Sequence, residues 1–479
     1  MNKTSKLHMS TEEFRKAGYK AIDWIADYYD HIEDYPVFPQ VQPGEIRSKL
    51  PKDPPQKGRS YEKILQDMNT MMPGITHWQS PSFHAFFPCA TSGPAILGDL
   101  ISTGLGINGM NWVTSPAATE LESHVLDWLV DMMELPNKFK TKSSGGGVLQ
   151  DTASSSSLVA LIAAREKASK GEINNNGYNG TLTVYTSSQA HSSIEKAVKI
   201  AGIGKNNLRL VDVDDSFAMD TNHLKKLILE DINNGLHPAY VCATVGTTSS
   251  TAIDPVEDIG LICQEFGIWL HVDAAMAGPA ALCPEYRFIN NGLEHADSYT
   301  FNPHKWMLTN FDCSVFYVAK RQLLINAMSI LPEYLKNKAT ESESVFDFRD
   351  WGIPLGRRFR ALKLWNVINY YGIQGLQKYI HEHMRDTQEL KKWIDENPDF
   401  EIIAPVPLTL ICFRHKNGDA FNEKLLMKMN ESGKMYMTHT ILKDQYVIRF
   451  SIGTATTNLD HLKSTWNCIE KYASELENS

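Results

Sequence analysis

Short apolar segments alternate with amphipathic segments through the middle of the chain, and this alternation constrains the fold more than any other feature. Apolar residues at helical spacing lie between several of the strand-like segments, as in Ser193–Ala201 and Glu257–Phe266. Alternating strands and helices predict an α/β fold, with a mostly parallel central sheet and helices on both faces. Ligands of such sheets bind at the carboxyl ends of the strands. The predicted strands are Leu182–Tyr185, Leu208–Val213, Tyr240–Val245, Trp269–Asp273, Tyr299–Phe301 and Val315–Val318.

The two ends of the chain have different patterns. Ile22, Ile25, Tyr29 and Ile32 recur at helical spacing, and a proline-rich stretch that prevents long helices follows. After about Gly372, helical segments (Leu376–His383, Asp386–Ile394) precede alternating strands such as Leu408–Phe413 and Tyr446–Ser451. We therefore predict an N-terminal helical arm over residues 1–91, a large domain over 92–371 and a small C-terminal α+β domain over 372–479.

Composition and charge exclude several classes of protein. The 479 residues carry a formal net charge of −9, and an acidic chain without a basic block lacks the electrostatic footprint of a nucleic-acid-binding protein. The seven cysteines form no CxxC pair, which predicts free thiols in a reducing compartment. Met1–Ser10 lacks the apolar core of a signal peptide, and the apolar run Leu158–Ala164 is shorter than the roughly 20 residues of a membrane span. We expect a cytoplasmic protein with no membrane segment.

Two charged residues stand at the ends of predicted strands. Lys305, in Asn302-Pro303-His304-Lys305-Trp306, follows a strand among aromatic and aliphatic residues, where desolvation would lower the pKa of its amine and favour a Schiff base. Asp273 closes another strand, and a carboxylate there could keep a pyridine nitrogen protonated. Each residue also has an ordinary interpretation, as a surface lysine in a loop and as an aspartate that caps a helix.

Two further groups complete a recognisable set. A helix predicted over Leu158–Lys167 is preceded by Gly145-Gly146-Gly147 and then by Thr152-Ala153-Ser154-Ser155. Free N–H groups at a helix N-terminus can bind phosphate. Serine runs are also common as ordinary helix caps. His191 follows the strand that begins at Leu182 and could stack on a planar cofactor or act as an acid or base, or be structural. Together the four groups supply what pyridoxal phosphate requires. The HExxH metal motif and the GxSxG hydrolase motif are absent from the sequence, and we predict no metal site.

Five motifs spread over nearly the whole chain carry a family resemblance. They are Pro73–Pro81, Trp112–Glu122, Val245–Thr248, His271–Ala275 and Asn302–Trp306. With them the chain resembles the aromatic-L-amino-acid decarboxylases, which are group II pyridoxal-phosphate-dependent decarboxylases, and most closely the plant members. The resemblance implies the aspartate-aminotransferase-like fold, fold type I of the pyridoxal-phosphate-dependent enzymes. It also implies a homodimer with active sites at the subunit interface and an arm that wraps the partner.

The resemblance also implies roles for single residues. Lys305 would bind the cofactor covalently, Asp273 would pair with the pyridine nitrogen, and His191 would stack on the ring opposite Ala275. The residues expected to hold the phosphate, with a neighbour of the ring, are Ala153, Ser154, Asn302, His304 and Thr248. The residues expected to bind the substrate are Trp78, Phe86, Phe87 and Gly356, with Asn108 and Met110 reaching in from the other subunit.

One departure from the family pattern concerns the reaction itself. The segment Val345–Trp351 aligns with the family's mobile catalytic loop, and Phe348 stands where decarboxylases carry a tyrosine. In the family that phenol protonates the substrate α-carbon after carbon dioxide leaves, and phenylalanine has no proton to give. The substitution accompanies an aldehyde-synthase branch that uses O2. We therefore predict an aldehyde synthase acting on Phe, Tyr, Dopa or Trp, with an amine-forming decarboxylase and an inactive binding protein as alternatives.

Further departures concern the pocket. Met276 replaces a usual tyrosine, and Met110 stands where an aromatic residue is common. Asp151 and Ser155 differ from the usual glycine and glutamate beside the phosphate cradle. Because methionine is flexible and fills irregular space, we expect a pocket that is wider or less selective than usual. Gly356 leaves room for a larger ring, so a tryptophan substrate is also compatible with the sequence.

Overall fold

The computed structural model describes residues 8–330 and 345–478. Residues 1–7 of the predicted arm, 331–344 of the predicted large domain and residue 479 lie outside this part. In chain order the described helices are α1 (Thr11–Asp30), α2 (Glu45–Lys49), α3 (Tyr61–Met71), α4 (Gly93–Leu105), α5 (Pro116–Met132), α6 (Ala153–Ser169), α7 (Glu172–Asn176), α8 (Ser193–Ile200), α9 (Thr221–Asn233), α10 (Val256–Phe266), α11 (Pro303–Trp306), α12 (Arg321–Met328), α13 (Ala361–Glu396), α14 (Asp419–Glu431) and α15 (Leu459–Glu477). The strands are β1 (Gly146–Gln150), β2 (Leu182–Ser187), β3 (Leu208–Val211), β4 (His237–Thr244), β5 (Trp269–Asp273), β6 (Ser298–Phe301), β7 (Ser314–Val318), β8 (Phe400–Ile402), β9 (Leu410–His415), β10 (Thr438–Leu442) and β11 (Gln445–Ser451).

The N-terminal region is helical, as its spacing predicts. A capping box starts α1, since the Ser10 hydroxyl accepts from the Glu13 N–H and the Glu13 carboxylate accepts from the Ser10 N–H. No residue of α1 is buried, and Phe14, Tyr19 and Ile22 are exposed. The helix therefore presents apolar side chains that no described residue of its own chain covers.

A seven-stranded sheet forms the centre of the described chain, in the order β1-β7-β6-β5-β4-β2-β3. Strand β7 runs antiparallel to both of its neighbours, and the pairs from β6 through to β3 are parallel. Both faces are covered. On β4, Cys242 packs under α6 and α8, whereas its neighbour Val241 packs in the core that includes α5, α9 and α10. The predicted α/β fold with a mostly parallel sheet is confirmed.

The chain after β7 supplies a second sheet. Its four strands are antiparallel, in the order β10-β11-β9-β8, and pack an apolar core against α14 and α15. The two helices predicted over Leu376–His383 and Asp386–Ile394 are one helix, α13, which bends at Gly372. A φ of 64° at Gly372 interrupts the helical backbone, a conformation that glycine adopts without steric cost. The bend lies at the predicted boundary of the small domain, and the division into domains stays a prediction.

The glycine triplet corrects one sequence-based expectation. Gly146 and Gly147 open β1 at its amino end, away from the cavity described below, so the triplet is not part of a phosphate cradle. A Cβ on Gly147 would lie 2.6 Å from the Tyr317 ring, and one on Gly145 would lie 2.2 Å from two carbonyl oxygens. The glycines therefore allow close packing of β1 on β7. The following helix also starts earlier than predicted, at Ala153 instead of Leu158.

Three general expectations can be compared with the described residues. All seven cysteines are free, as predicted. No helix within residues 8–330 and 345–478 is both long and apolar enough to cross a membrane, and no cluster of three potential metal ligands occurs in the same part of the chain.

Candidate active site

A cavity opens at the carboxyl ends of the parallel strands. It contains every residue predicted from the sequence to contact a cofactor, including Lys305, Asp273 and His191. The strand ends bring these residues together from distant parts of the chain, as parallel sheets do. The full lining is Phe87, Thr152, Ala153, Ser154, His191, Ser193, Thr244, Gly246, Thr248, Asp273, Ala275, Met276, Asn302, His304 and Lys305.

Lys305 lies in the short helix α11, directly after β6. Its N–H donates to the Asn302 carbonyl at 3.0 Å, and the side chains of His304 and Trp306 on either side are buried. Burial lowers the pKa of the Lys305 amine, the Asp273 charge opposes this change, and the Arg449 cation adds to it. The Lys305 Nζ lies 5.3 Å from the centroid of the Phe87 ring. A lysine in these surroundings can present the neutral amine that attacks a carbonyl.

Asp273 is a buried carboxylate at the end of β5. Its Oδ1 accepts the Ala275 N–H at 2.9 Å, and the described residues form no further hydrogen bond to the carboxylate. Asp273 is 4% exposed and lies near the buried Tyr299 phenol, whose pKa is raised by burial and further by the Asp273 charge. A buried charge of this kind requires a partner. A protonated pyridine nitrogen would supply one.

The start of α6 provides donors for an anion. Thr152 caps this helix without a side-chain hydrogen bond, and Thr152, Ala153 and Ser154 line the cavity. Free N–H groups and the positive end of the helix dipole favour phosphate here. Asp151 weakens the attraction of this helix end for an anion. Its carboxylate accepts the Thr152 N–H at 2.6 Å and places a negative charge next to the expected phosphate position.

Two histidines line the cavity with defined tautomers. The Nδ1 of His304 accepts the Cys313 N–H at 2.9 Å, and burial lowers the pKa of His304 to about 3. The Nδ1 of His191 accepts the Ser193 N–H at 3.1 Å. Although His191 is exposed as a residue, desolvation by the surrounding protein lowers the pKa of its ring; the Asp273 charge opposes this change and Lys305 adds to it. Both neutral rings therefore carry their proton on Nε2, where they can donate to a ligand.

The cavity fits pyridoxal 5′-phosphate. Beyond the lysine, the carboxylate and the helix terminus, the Thr244 Oγ1 and the Asn302 Oδ1 are buried without a partner among the described residues. Buried polar atoms are normally paired, so these two indicate a polar ligand. The site residues named for the cofactor are thus together in space, and their individual roles stay predictions.

The predicted substrate residues divide into two groups. Phe87 lines the cavity, and beside it Trp78 stacks on Phe86, with ring centroids 5.6 Å apart and planes 15° apart. Phe86 is 44% exposed and adopts a φ of 54°, a left-handed conformation that is strained for an aromatic residue. A further ring, Tyr436, packs edge-on against Phe86.

The other substrate residues, Asn108, Met110 and Gly356, lie outside the cavity of their own chain together with the predicted catalytic residue Phe348, and we call these four residues the loop group. The Met110 carbonyl accepts the Arg349 N–H at 2.8 Å, and the Asn108 Oδ1 accepts the Arg357 N–H at 3.0 Å. Phe348 is 2% exposed and packs edge-on against Trp351. The structure therefore brings these four residues together, and none of them is among the residues that line the cavity.

Sequence reasoning missed several lining residues. Thr244 ends β4 and could have been found by the same strand-end rule that identified Asp273. Gly246 lies in the motif Val245–Thr248 and turns the chain with a φ of 82°. No local pattern marks Ser193 as a residue of the cavity.

Comparisons with known proteins agree with this geometry. The chain matches the pyridoxal-dependent decarboxylase conserved domain over residues 43–416. It is 46% identical to phenylacetaldehyde synthase of Arabidopsis thaliana over 98% of this chain and 97% of that protein, and 45% identical to tyrosine decarboxylase 2 of Narcissus pseudonarcissus over 98% and 95%. Two solved structures are similar over 98% of this chain. Oryza sativa TDC with PLP and tryptamine has a TM-score of 0.96, with 37% identity and 100% of that chain covered. Rhodiola rosea 4-hydroxyphenylacetaldehyde synthase has a TM-score of 0.91, with 36% identity and 99% covered. The predicted fold, cofactor and enzyme class are confirmed, and these relatives include both decarboxylases and aldehyde synthases.

Proposed function

The chain belongs to the pyridoxal-dependent decarboxylase family, within its aromatic amino acid enzymes, and on this premise we propose that it is an aromatic aldehyde synthase. The substrate would be an aromatic L-amino acid such as Phe, Tyr, Dopa or Trp, and O2 and water would be co-substrates. The products would be the aryl acetaldehyde, CO2, NH3 and H2O2. Two electrons from the substrate α-carbon reduce O2 to H2O2, and the oxygen of the aldehyde comes from water.

The observation that carries this proposal is the phenyl ring of Phe348. A tyrosine in the aligned position of the family's decarboxylases protonates the α-carbon, and such an acid is worth about 10²–10⁴-fold in rate. Phe348 keeps the shape of that side chain and removes its proton. Without protonation the electron-rich α-carbon persists and can be oxidised by O2.

The remaining residues would act as their positions suggest. Pyridoxal phosphate, when bound, supplies an electron sink for the decarboxylation. Lys305 would bind it covalently and release it to the substrate amine, and Asp273 would keep the ring nitrogen protonated. The Nε2–H of His304 and the N–H groups at the start of α6 would hold the phosphate. His191 would stack on the ring and present its Nε2 proton to the reacting centre.

We also propose a cytoplasmic homodimer in which Phe348 serves the partner's cavity. Support comes from the loop group, which lies away from its own cavity although the resemblance expects all four members at an active site. The exposed apolar residues of α1 and α4, among them Phe14, Tyr19, Leu100 and Leu105, support a further interface. A dimer would cover these surfaces and bring the loop group to a second cavity.

The proposal is tested by product analysis. Purified protein is incubated with each of the four amino acids in air, and amine, aldehyde and peroxide are measured. We expect aldehyde and peroxide in equal amounts. Amine as the main product would instead favour the decarboxylase, which the 45% identity to a tyrosine decarboxylase keeps as the second candidate. An inactive binding protein would form neither product, although Lys305 and Asp273 are both present in the cavity.

A further inference from the structure

Arg449 is a buried cation beside the cavity that neither the sequence analysis nor the proposed mechanism uses. It lies in β11, in the four-stranded sheet, and is 5% exposed. Its guanidinium carbon lies 5.3 Å from the centroid of the Phe87 ring, which is also the distance from that ring to the Lys305 Nζ. Phe87 thus contacts the cofactor lysine and Arg449 together.

The guanidinium makes three directed hydrogen bonds. Its Nη1 donates to the Thr438 Oγ1 at 3.0 Å, and its Nη2 donates to the Thr248 carbonyl at 2.8 Å and the Phe86 carbonyl at 3.3 Å. These acceptors belong to three different parts of the chain: strand β10, the loop after β4 and the segment before α4. Only the planar fork of arginine can reach acceptors in this arrangement, because a lysine ammonium is a single point.

Two of these acceptors need external support. Phe86 has the strained left-handed backbone described above, and such a conformation persists only where surrounding contacts impose it. Thr248 lies in a loop that a second contact from the same sheet also holds, since the Cys412 thiol donates to the Ser249 carbonyl at 3.1 Å. The four-stranded sheet therefore fixes both the cofactor loop and the aromatic turn at Phe86 and Phe87.

We propose that Arg449 is a positioning residue of the active site, which sets the aromatic turn at Phe86 and Phe87 for the substrate and the Thr248 loop for the cofactor. The inference rests on the Lys305 cavity of the proposed function but not on which product forms. Two effects follow and can be separated. The planar guanidinium of Arg449 holds its three acceptors in place. Its positive charge disfavours a second positive charge on the nitrogen of Lys305.

The test uses the cofactor-loaded enzyme with Arg449→Lys, which keeps the charge and loses the fork, and Arg449→Met, which loses both. Both variants should raise the KM for the amino acid about tenfold, the effect of losing one hydrogen bond to a charged group, with a smaller change in kcat. Affinity for pyridoxal phosphate, titrated into the apoenzyme, should fall in both. The pH midpoint of the visible absorbance should rise by about 0.3–1 unit in Arg449→Met alone.

A matched control is Arg414, on the neighbouring strand β9. It is also 5% exposed and forms an ion pair with Asp419 at 3.0 Å, with no contact to the lining of the cavity among the described residues. Arg414→Lys and Arg414→Met should leave KM, cofactor affinity and the midpoint unchanged. Thr438→Val removes the acceptor of the Arg449 Nη1 and, with it, the longer hydrogen bond from the Phe86 N–H at 3.5 Å. It should raise KM by a smaller factor and is measured in case the Arg449 variants do not fold.

Three results would overturn the inference. The first is a KM and a cofactor affinity of the Arg449 variants within twofold of the wild type. The second is an equal change of KM and cofactor affinity in the two Arg414 variants. The third applies if only Thr438→Val folds, and it is a KM of that variant equal to the wild-type KM. Failure of the proposed function looks different, because then the wild-type protein would release amine instead of aldehyde while the effects of the Arg449 variants on KM and cofactor affinity remained.

Discussion

Restoring the missing phenol with Phe348→Tyr should redirect the reaction from aldehyde to amine. A positioned general acid is worth about 10²–10⁴-fold, which is about 2.7–5.4 kcal/mol at 1.36 kcal/mol per decade. A protonation step accelerated by this factor should outcompete oxidation, so amine should become the main product. The fall in peroxide should match the rise in amine.

The cost of the substitution to the fold can be worked from the contacts of Phe348. The ring is buried between Phe346 and Trp351, with centroids 6.1 and 5.7 Å away, so the new hydroxyl would be buried as well. An unpaired buried hydroxyl costs about 1–3 kcal/mol. The Arg357 guanidinium carbon lies 5.0 Å from the ring centroid, and its two terminal nitrogens already donate to Glu122 and to two backbone carbonyls. We therefore expect a loss of about 1–3 kcal/mol in the free energy of unfolding.

The assay compares amine, aldehyde and peroxide from wild type, Phe348→Tyr and Phe346→Tyr at equal substrate and oxygen. Phe346→Tyr is the matched control, because it adds the same hydroxyl two residues away in the same aromatic cluster. It should leave the product ratio unchanged. A product ratio in Phe348→Tyr equal to that of wild type, or an equal shift in both variants, would show that the hydroxyl at position 348 does not decide the product.

Three further predictions concern stability and the cofactor. The folded chain should lose stability as the pH falls from about 6.5 towards 4. Burial lowers the pKa of four histidines to about 3 or 4, and in this pH range only the unfolded chain binds their protons. The four are His84, His271, His304 and His383. Each proton contributes about 1.4 kcal/mol of unfolding free energy per pH unit. Asp254 offsets part of the loss, because burial raises its pKa to about 7 and it therefore binds its proton in the folded state. Urea unfolding between pH 7.5 and 5 measures the change, and a constant free energy of unfolding would contradict this prediction. Asp151→Asn should tighten pyridoxal phosphate binding about two- to fivefold, the effect of removing one negative charge at a helix N-terminus, and weaker binding in a cofactor titration would argue against a phosphate at α6. Gly147→Ala should lower the free energy of unfolding by about 1–3 kcal/mol, because its Cβ would meet the Tyr317 ring. Cofactor affinity should stay at the wild-type value, and a weaker affinity would indicate that the glycines do contribute to the phosphate site.

Much of the fold and of the cavity could be predicted from local sequence. Strand β5 has the predicted bounds, because its apolar run ends at a carboxylate and both faces of a parallel strand are buried. Lys305 and Asp273 could be placed together because parallel strands end at the same edge of a sheet. The bounds of β5 and the proximity of Lys305 and Asp273 can thus be predicted from the local sequence pattern.

Other features depend on contacts that are distant along the chain. Strand β1 was missed because glycine is rare in strands, and its partner β7 follows more than 160 residues later. Arg449 was missed because its neighbours along β11 give no sign that it reaches Phe86 and Thr248. The loop group could be named only through the family resemblance, since its members do not meet the cavity of their own chain.

In the proposed reaction O2 is a stoichiometric substrate, and an oxygen electrode combined with CO2 detection measures this stoichiometry. With purified, cofactor-loaded protein and an excess of aromatic amino acid, we expect one O2 consumed for each CO2 released, with peroxide and aldehyde formed in the same amount. Release of CO2 without oxygen uptake, and with amine as the product, would contradict the proposed reaction.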